Sequence, residues 1–190
     1  MGWEGSLAPL NGKRVIILDT SAFIAGFDPF TISEDQYTVP KVEEEFSGDY
    51  VACMRFKTAI ENGKLVVKEP DEVFVERIKA SACDLGDFSF LSETDIQILA
   101  LALQLKAQGF RPLIATDDYS IQNVAKHLGM DYAPLATFGI RQLLIWVRYC
   151  PACHRRYPAD YKSKICETCG TELKRKPARG RNRKLIGEAK

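Results

Sequence analysis

VIILDTS, residues 15–21, decides the fold. Four branched apolar residues in a row, Val15 to Leu18, suit a strand buried on both faces, as in a parallel sheet covered by helices. This strand ends on a carboxylate, Asp19. One reading is that a polar residue opens the next loop. The other is that the carboxyl edge of a parallel sheet is where open α/β folds hold their ligand groups. The rest of the chain decides between them.

Outward from this strand, residues 20–27 suit a short helix. Residues 38–63 read as a helix entered through Pro40, ended by Asn62-Gly63 and open to interruption at Gly48. KLVVKEP (64–70) is a strand, and 71–86 is a helix stopped by Gly86. Residues 91–109 form the clearest helix, with Ile96, Leu99, Ala100 and Leu103 at i, i+3, i+4, i+7 spacing and Gly109 at its end. PLIATDD (112–118) is a strand, 119–129 a helix and MDYAPL (130–135) a last strand. Strands alternating with helices predict a parallel sheet covered on both faces.

At 190 residues with 46% apolar side chains, the chain holds one domain with a packed core and a small appendage. The net charge of +1 hides an asymmetry. Residues 1–140 carry 12 Lys+Arg against 21 Asp+Glu, a charge of −9; residues 141–190 carry 14 against 4, a charge of +10. An acidic body with a basic attachment is common in nucleic-acid-binding proteins. No basic start followed by an apolar run marks a secretory signal, and no apolar stretch has the length of a membrane span. We therefore expect a cytoplasmic protein without membrane contact.

Six cysteines need a reading suited to a reducing compartment. Cys53 and Cys83 stand alone in predicted helices, as buried core thiols. Cys150, Cys153, Cys166 and Cys169 form Cys-x2-Cys-x12-Cys-x2-Cys. Each pair makes a knuckle that brings two thiolates to one tetrahedral metal, with a hairpin between. One structural Zn²⁺ fits four thiolates with no open position, and Gly170 fits the turn after the last cysteine. Two disulfides, or a rubredoxin-like iron site, are the competing readings.

Several acids fall where strand and helix ends should converge: Asp19, the trio Glu43, Glu44 and Glu45, Asp95, and the pair Asp117 and Asp118. Each has an ordinary structural role open to it. Ser92-Glu93-Thr94-Asp95 has capping-box spacing, Asp117 or Asp118 suits a helix N-cap, and glutamates favour a helix N-terminus. Together on one sheet edge they would repel without a cation between them. Mg²⁺ or Mn²⁺ would remove that cost and supports phosphodiester cleavage. Only two histidines are present, His127 and His154, so a Ser–His pair is poorly supported, and no phosphate-binding glycine loop appears.

VIILDTSAFI, VEEEF, LSETDIQILALAL and IATDDYSIQNV resemble, in order, the acidic motifs of PIN-domain nucleases. A PIN domain followed by a four-cysteine ribbon and a basic tail is similar to one branch, the ribosome-assembly endoribonucleases of the Nin-one binding protein family in their short archaeal form. The resemblance implies a three-layer α/β PIN domain with a five-stranded parallel sheet over residues 1–136, a connecting segment over 137–148, a zinc ribbon over 149–173 and a basic, disordered tail over 174–190. It implies Mg²⁺- or Mn²⁺-dependent cleavage of precursor small-subunit ribosomal RNA at its mature 3′ end, within the pre-ribosomal small subunit and among its assembly factors. By motif, the catalytic acids are Asp19, Glu45, Asp95 and Asp118, with Asp117 as alternate, and Thr20, Ser21 and Thr116 orient them. Arg155, Arg156, Lys174, Arg175, Lys176, Arg179, Arg181, Arg183 and Lys184 are the candidate RNA contacts. Tyr149, Tyr157 and Tyr161 suit either base stacking or the ribbon core. The alternatives are a phosphatase with Asp19 as nucleophile, disfavoured by Ser21 where a second aspartate is wanted, a non-catalytic RNA-holding assembly factor, and a PIN-type toxin, against which the ribbon and tail argue.

Overall fold

The computed structural model describes residues 12–46, 48–86, 88–135, 146–157, 161 and 163–177. The body is a five-stranded sheet with every strand parallel. Its strands are β1 (Arg14–Leu18), β2 (Asp35–Thr38), β3 (Leu65–Val67), β4 (Arg111–Ala115) and β5 (Asp131–Ala133). The spatial order is β3-β2-β1-β4-β5. The chain steps outward from β1 to β3, then returns to lay β4 and β5 on the other side of β1. That reversal opens a crevice at the carboxyl ends of β1 and β4, the usual ligand position in an open α/β sheet.

β1 is buried from Val15 to Leu18, as its unbroken apolar run requires. β2 carries no such signal, and the pattern that locates the other four strands passes over it. Its inward residues are polar: Gln36 and Thr38 are buried. Gln36 Nε2 donates to the Pro29 carbonyl at 2.7 Å, and Thr38 Oγ1 donates to the Leu18 carbonyl at 2.7 Å. Side-chain hydrogen bonds thus do what an apolar alternation does elsewhere in the sheet.

Among the described residues six helices cover the sheet: α1 (Thr20–Ile24), α2 (Lys41–Glu44), α3 (Tyr50–Glu61), α4 (Glu72–Leu85), α5 (Glu93–Ala107) and α6 (Tyr119–His127). The helix expected over 38–63 is therefore two, with Thr38 in β2. Gly48 breaks it with φ +92°, and the Asp49 side chain caps α3 by accepting from Ala52 N at 2.9 Å. The rings of Phe23, Phe46 and Phe56 meet edge to face, with centroids 5.4–5.6 Å apart. They tie α1 and α3 to the turn after α2. Around α5 the expected stripe of Ile96, Leu99, Ala100 and Leu103 is buried, but so are Ile98, Leu101, Ala102 and Leu105. α5 touches α2, α4, α6, β1 and β4, so its apolar surface wraps the helix instead of forming one face.

A second, antiparallel sheet holds β6 (Trp146–Tyr149), β7 (Arg156–Tyr157) and β8 (Lys174–Pro177), in the order β7-β6-β8. It runs further in both directions than the ribbon expected over 149–173. Residues 146–148, expected in the connecting segment, and 174–177, expected in the tail, are strand because each pairs its main chain with the other. The rest of those two segments lies outside the described residues. Among the described residues no helix is long and apolar enough to cross a membrane.

Candidate active site and metal centre

Asp19 ends β1 and is also the N-cap of α1. Its Oδ1 accepts from Thr20 N at 2.7 Å, and its Oδ2 accepts from Ser21 Oγ at 2.7 Å and Thr116 Oγ1 at 2.8 Å. Thr116 follows β4, so one carboxylate bridges the two strands at the crevice. Burial pushes its pKa above the ordinary value; the donors of Ser21, Thr116 and Thr20 oppose this, and the charge of Asp118 adds to it.

Asp95 completes a capping box on α5. Its backbone N–H donates to Ser92 Oγ at 3.1 Å, and its carboxylate accepts from Ser92 N at 2.7 Å. Its pKa is nonetheless pushed up to about 6, first by burial and then by the charges of Asp19 and Asp118, against the hydrogen bonds of Ser92. Asp118 caps α6, accepting at Oδ1 from Ser120 N at 2.5 Å and Ile121 N at 3.2 Å. Asp117 faces differently: its Oδ1 accepts from Leu135 N at 3.0 Å, on the β5 side. Of the pair, Asp118 is the one whose charge reaches both Asp19 and Asp95.

Glu45 is the C-cap of α2 and accepts from Thr20 Oγ1 at 2.5 Å, which places it next to Asp19. Phe46, locked between Phe23 and Phe56, sets that position. Glu43 instead lies 3.4 Å from Lys57. The structure thus brings Asp19, Asp95 and Asp118 together and joins Glu45 to them through Thr20. Burial raises both Asp19 and Asp95, and carboxylate charge adds to it: that of Asp118 on Asp19, and those of Asp19 and Asp118 on Asp95. Such a set fits a hard divalent cation. Among the described residues, the group whose ligand atoms all lie close enough together to hold an ion is that of the four cysteines, not the acids.

The cysteine cluster is closed. The four sulfurs lie within 4.8 Å of one another, with Cys150–Cys169 at 3.3 Å and Cys153–Cys166 at 3.6 Å, and all four thiols are free. Tetrahedral ligands on zinc, each ~2.3 Å away, would stand about 3.8 Å apart. The two knuckles repeat one backbone design. Cys150 O accepts from His154 N at 3.0 Å, and Cys166 O accepts from Gly170 N at 2.8 Å. His154 has φ 60° and Gly170 φ 72°, the left-handed turn that Gly170 was expected to supply. Tyr157 is core: it is buried, its ring lies 4.4 Å from that of Tyr161, and its hydroxyl donates to Cys166 Sγ at 2.9 Å. That donor pulls the Cys166 thiol down to about 5.

Strand alternation sorts the basic candidates. Arg156, Tyr149 and Lys174 sit side by side across β7, β6 and β8, and Lys176 shares their face, with its Nζ 4.3 Å from the Tyr149 ring centroid. Arg175 lies on the opposite face. Arg155 is turned aside, 3.7 Å from Glu167. Arg179, Arg181, Arg183 and Lys184 lie outside the described residues. No motif marks Arg148, Ser89 or Phe90, although Arg148 Nη2 donates to Ser89 Oγ at 2.6 Å and the Arg175 guanidinium lies 3.5 Å over the Phe90 ring.

The family described as PIN domain of ribonuclease matches residues 16–105. The chain is 37% identical over 171 residues to Endoribonuclease Nob1 of Methanocaldococcus jannaschii, covering 90% of this chain and 82% of that one. It is 38% identical over 119 residues to Ribonuclease VapC3 of Aeropyrum pernix, covering 63% of this chain and 84% of that one. It is also 32% identical over 99 residues to the 20S-pre-rRNA D-site endonuclease nob1 of Schizosaccharomyces pombe, covering 49% of this chain and 24% of that one.

Proposed function

The chain belongs to the Nob1 family of endoribonucleases, and from that premise we propose that it cuts precursor small-subunit ribosomal RNA at its mature 3′ end in a divalent-metal-dependent hydrolysis. The observation that carries this is the meeting of Asp19, Asp95 and Asp118 at the β1–β4 crevice, with Glu45 tied in through Thr20. The name of the fission-yeast relative supports the choice of precursor ribosomal RNA.

Asp19, Glu45, Asp95 and Asp118 would hold Mn²⁺ or Mg²⁺, which supplies an activated water and stabilises the leaving oxygen in phosphodiester cleavage. Thr20, Ser21 and Thr116 keep the Asp19 carboxylate in one orientation, so it needs little reorganisation when the ion binds. Cys150, Cys153, Cys166 and Cys169 hold one structural Zn²⁺. On the ribbon, Arg156, Lys174 and Lys176 neutralise phosphates without reading base edges, and the basic residues beyond 177 add to this. The body cuts and the ribbon and tail bind. The setting is the pre-ribosomal small subunit and its assembly factors in the cytoplasm.

The test is incubation of purified protein with a small-subunit precursor fragment and Mn²⁺ or Mg²⁺, followed by mapping of the new ends. One cut at the mature 3′ end is expected, absent without added divalent ion and absent in Asp19→Asn at unchanged RNA affinity. Cleavage by Asp19→Asn at the wild-type rate would overturn the assignment of that ligand, and binding without cleavage in any divalent ion would overturn the activity.

A further inference from the structure

We propose that the ribbon is docked on the body through one face of its sheet, and that Ser89 and Phe90 are positioning residues that set where the RNA is cut. The cutting half of this rests on the endonuclease reading above; the docking half does not. Arg148 and Arg175 stand directly opposite each other on β6 and β8. Both are half-buried, and both find partners on one turn of the body. Arg148 Nη2 donates to Ser89 Oγ at 2.6 Å, while its Nη1 donates to the Ser163 carbonyl at 3.3 Å within the ribbon. The Arg175 guanidinium lies 3.5 Å over the Phe90 ring, where the π face attracts a cation. The −9 of residues 1–140 against the +10 of residues 141–190 favours the same approach.

The place of this contact gives it a purpose. Phe88–Phe90 is a single 3-10 turn, and Ser92, two residues on, is the N-cap whose hydroxyl and backbone N–H engage Asp95. The docked face is the reverse of the one bearing Arg156, Lys174 and Lys176. Docking therefore leaves the phosphate-binding face outward and holds it at a set distance from the acidic crevice. RNA lying on that face would reach the catalytic acids in one register, so a binding surface with no sequence preference still yields one cut.

The experiment uses the full-length, zinc-loaded chain. ¹⁵N relaxation is measured on ribbon amides (147–157 and 163–177) and on body amides, in wild type and in the Ser89→Ala, Phe90→Ala double variant. One shared rotational correlation time is expected in wild type. Its loss is expected in the variant, with the ribbon tumbling faster than the body, and Phe90→Trp should keep the shared time. Neither variant removes a charge, so RNA affinity and its salt slope should stay within about twofold, while the single mapped end spreads into several. A ribbon that tumbles faster than the body in wild type, or a double variant that keeps one shared time, overturns the docking. A released ribbon with an unchanged single cut overturns the positioning role. If wild type cuts nothing in any divalent ion, the endonuclease reading and the positioning role fail together, and the relaxation data still decide the docking.

Discussion

Asp95→Asn should stabilise the metal-free body at neutral pH while removing a proposed ligand. In the folded state Asp95 titrates at about 6, against an ordinary 3.8. A carboxyl group whose pKa is raised by folding binds its proton more tightly in the folded chain, so its ionised form works against the fold. Below about pH 4 both states are protonated and there is no penalty. Between about pH 4 and pH 6 the folded chain keeps a proton that the unfolded chain has lost, and stability falls as pH rises. Above that the penalty is complete. Two units at about 1.4 kcal/mol each set a ceiling near 3 kcal/mol, and solvent screening of a half-buried group lowers it to about 1–2 kcal/mol. Asparagine keeps an oxygen to accept from Ser92 N but carries no charge to repel Asp19 and Asp118. Urea unfolding followed at 222 nm reports the body, because the six helices of the described chain all lie in it. In buffer freed of Mn²⁺ and Mg²⁺, with the ribbon ion left in place, the variant should be more stable at pH 7.5 by about 1–2 kcal/mol, and the gain should vanish near pH 3.5. Added Mn²⁺ should stabilise wild type more than the variant. A variant no more stable than wild type at pH 7.5, or a gain that persists at the acidic end, would refute the reasoning.

Elemental analysis of protein purified without added metal should find one zinc per chain, and replacing Cys166 with serine should abolish it; zinc-free protein with its ribbon cysteines in disulfides would contradict this. The knuckle turns should respond in opposite senses to substitution: Gly170→Ala should weaken the folded ribbon by about 1 kcal/mol through left-handed strain, and His154→Gly should strengthen it by about 0.5 kcal/mol, both read by zinc competition with a chromophoric chelator. A chain ending near Thr137 should keep the helical signal of the body yet bind precursor RNA much more weakly and with a flatter salt dependence, because fewer counterions are released; equal affinity and slope in a filter-binding titration would show that the body holds the RNA.

What was legible in the sequence followed the residues whose local and long-range demands agree. VIIL can be little else than a strand buried on both faces, and the cysteine spacing allows few ligand geometries. β2 escaped because the Gln36 Nε2 and Thr38 Oγ1 donors are taken up by the Pro29 and Leu18 carbonyls, partners that no periodicity reveals. β8 escaped for another reason. Lys174, Arg175 and Lys176 read as a solvated charge run, and only their pairing with β6 divides them into an outward face and a docked one. The Arg148–Ser89 contact spans 59 positions and joins residue types found on any surface, so it leaves no trace in the sequence.

The acids carry a different lesson. Asp19, Asp95 and Asp118 each do the ordinary structural job available to them, as an N-cap, a capping-box residue and an N-cap. That does not compete with the metal binding proposed for them. Two of the three, Asp19 and Asp118, close strand-to-helix connections of a parallel sheet, and every such connection delivers a helix N-terminus to the carboxyl edge. Backbone N–H groups there donate to the carboxylate, and at Asp19 that bond opposes the upward push of burial. The same N–H groups fix its orientation, which leaves its remaining lone pairs free for a cation. A parallel sheet therefore collects capped carboxylates along one edge by its own geometry. What separates an active site from a row of caps is whether their charges meet, and here the charge of Asp118 is felt at both Asp19 and Asp95.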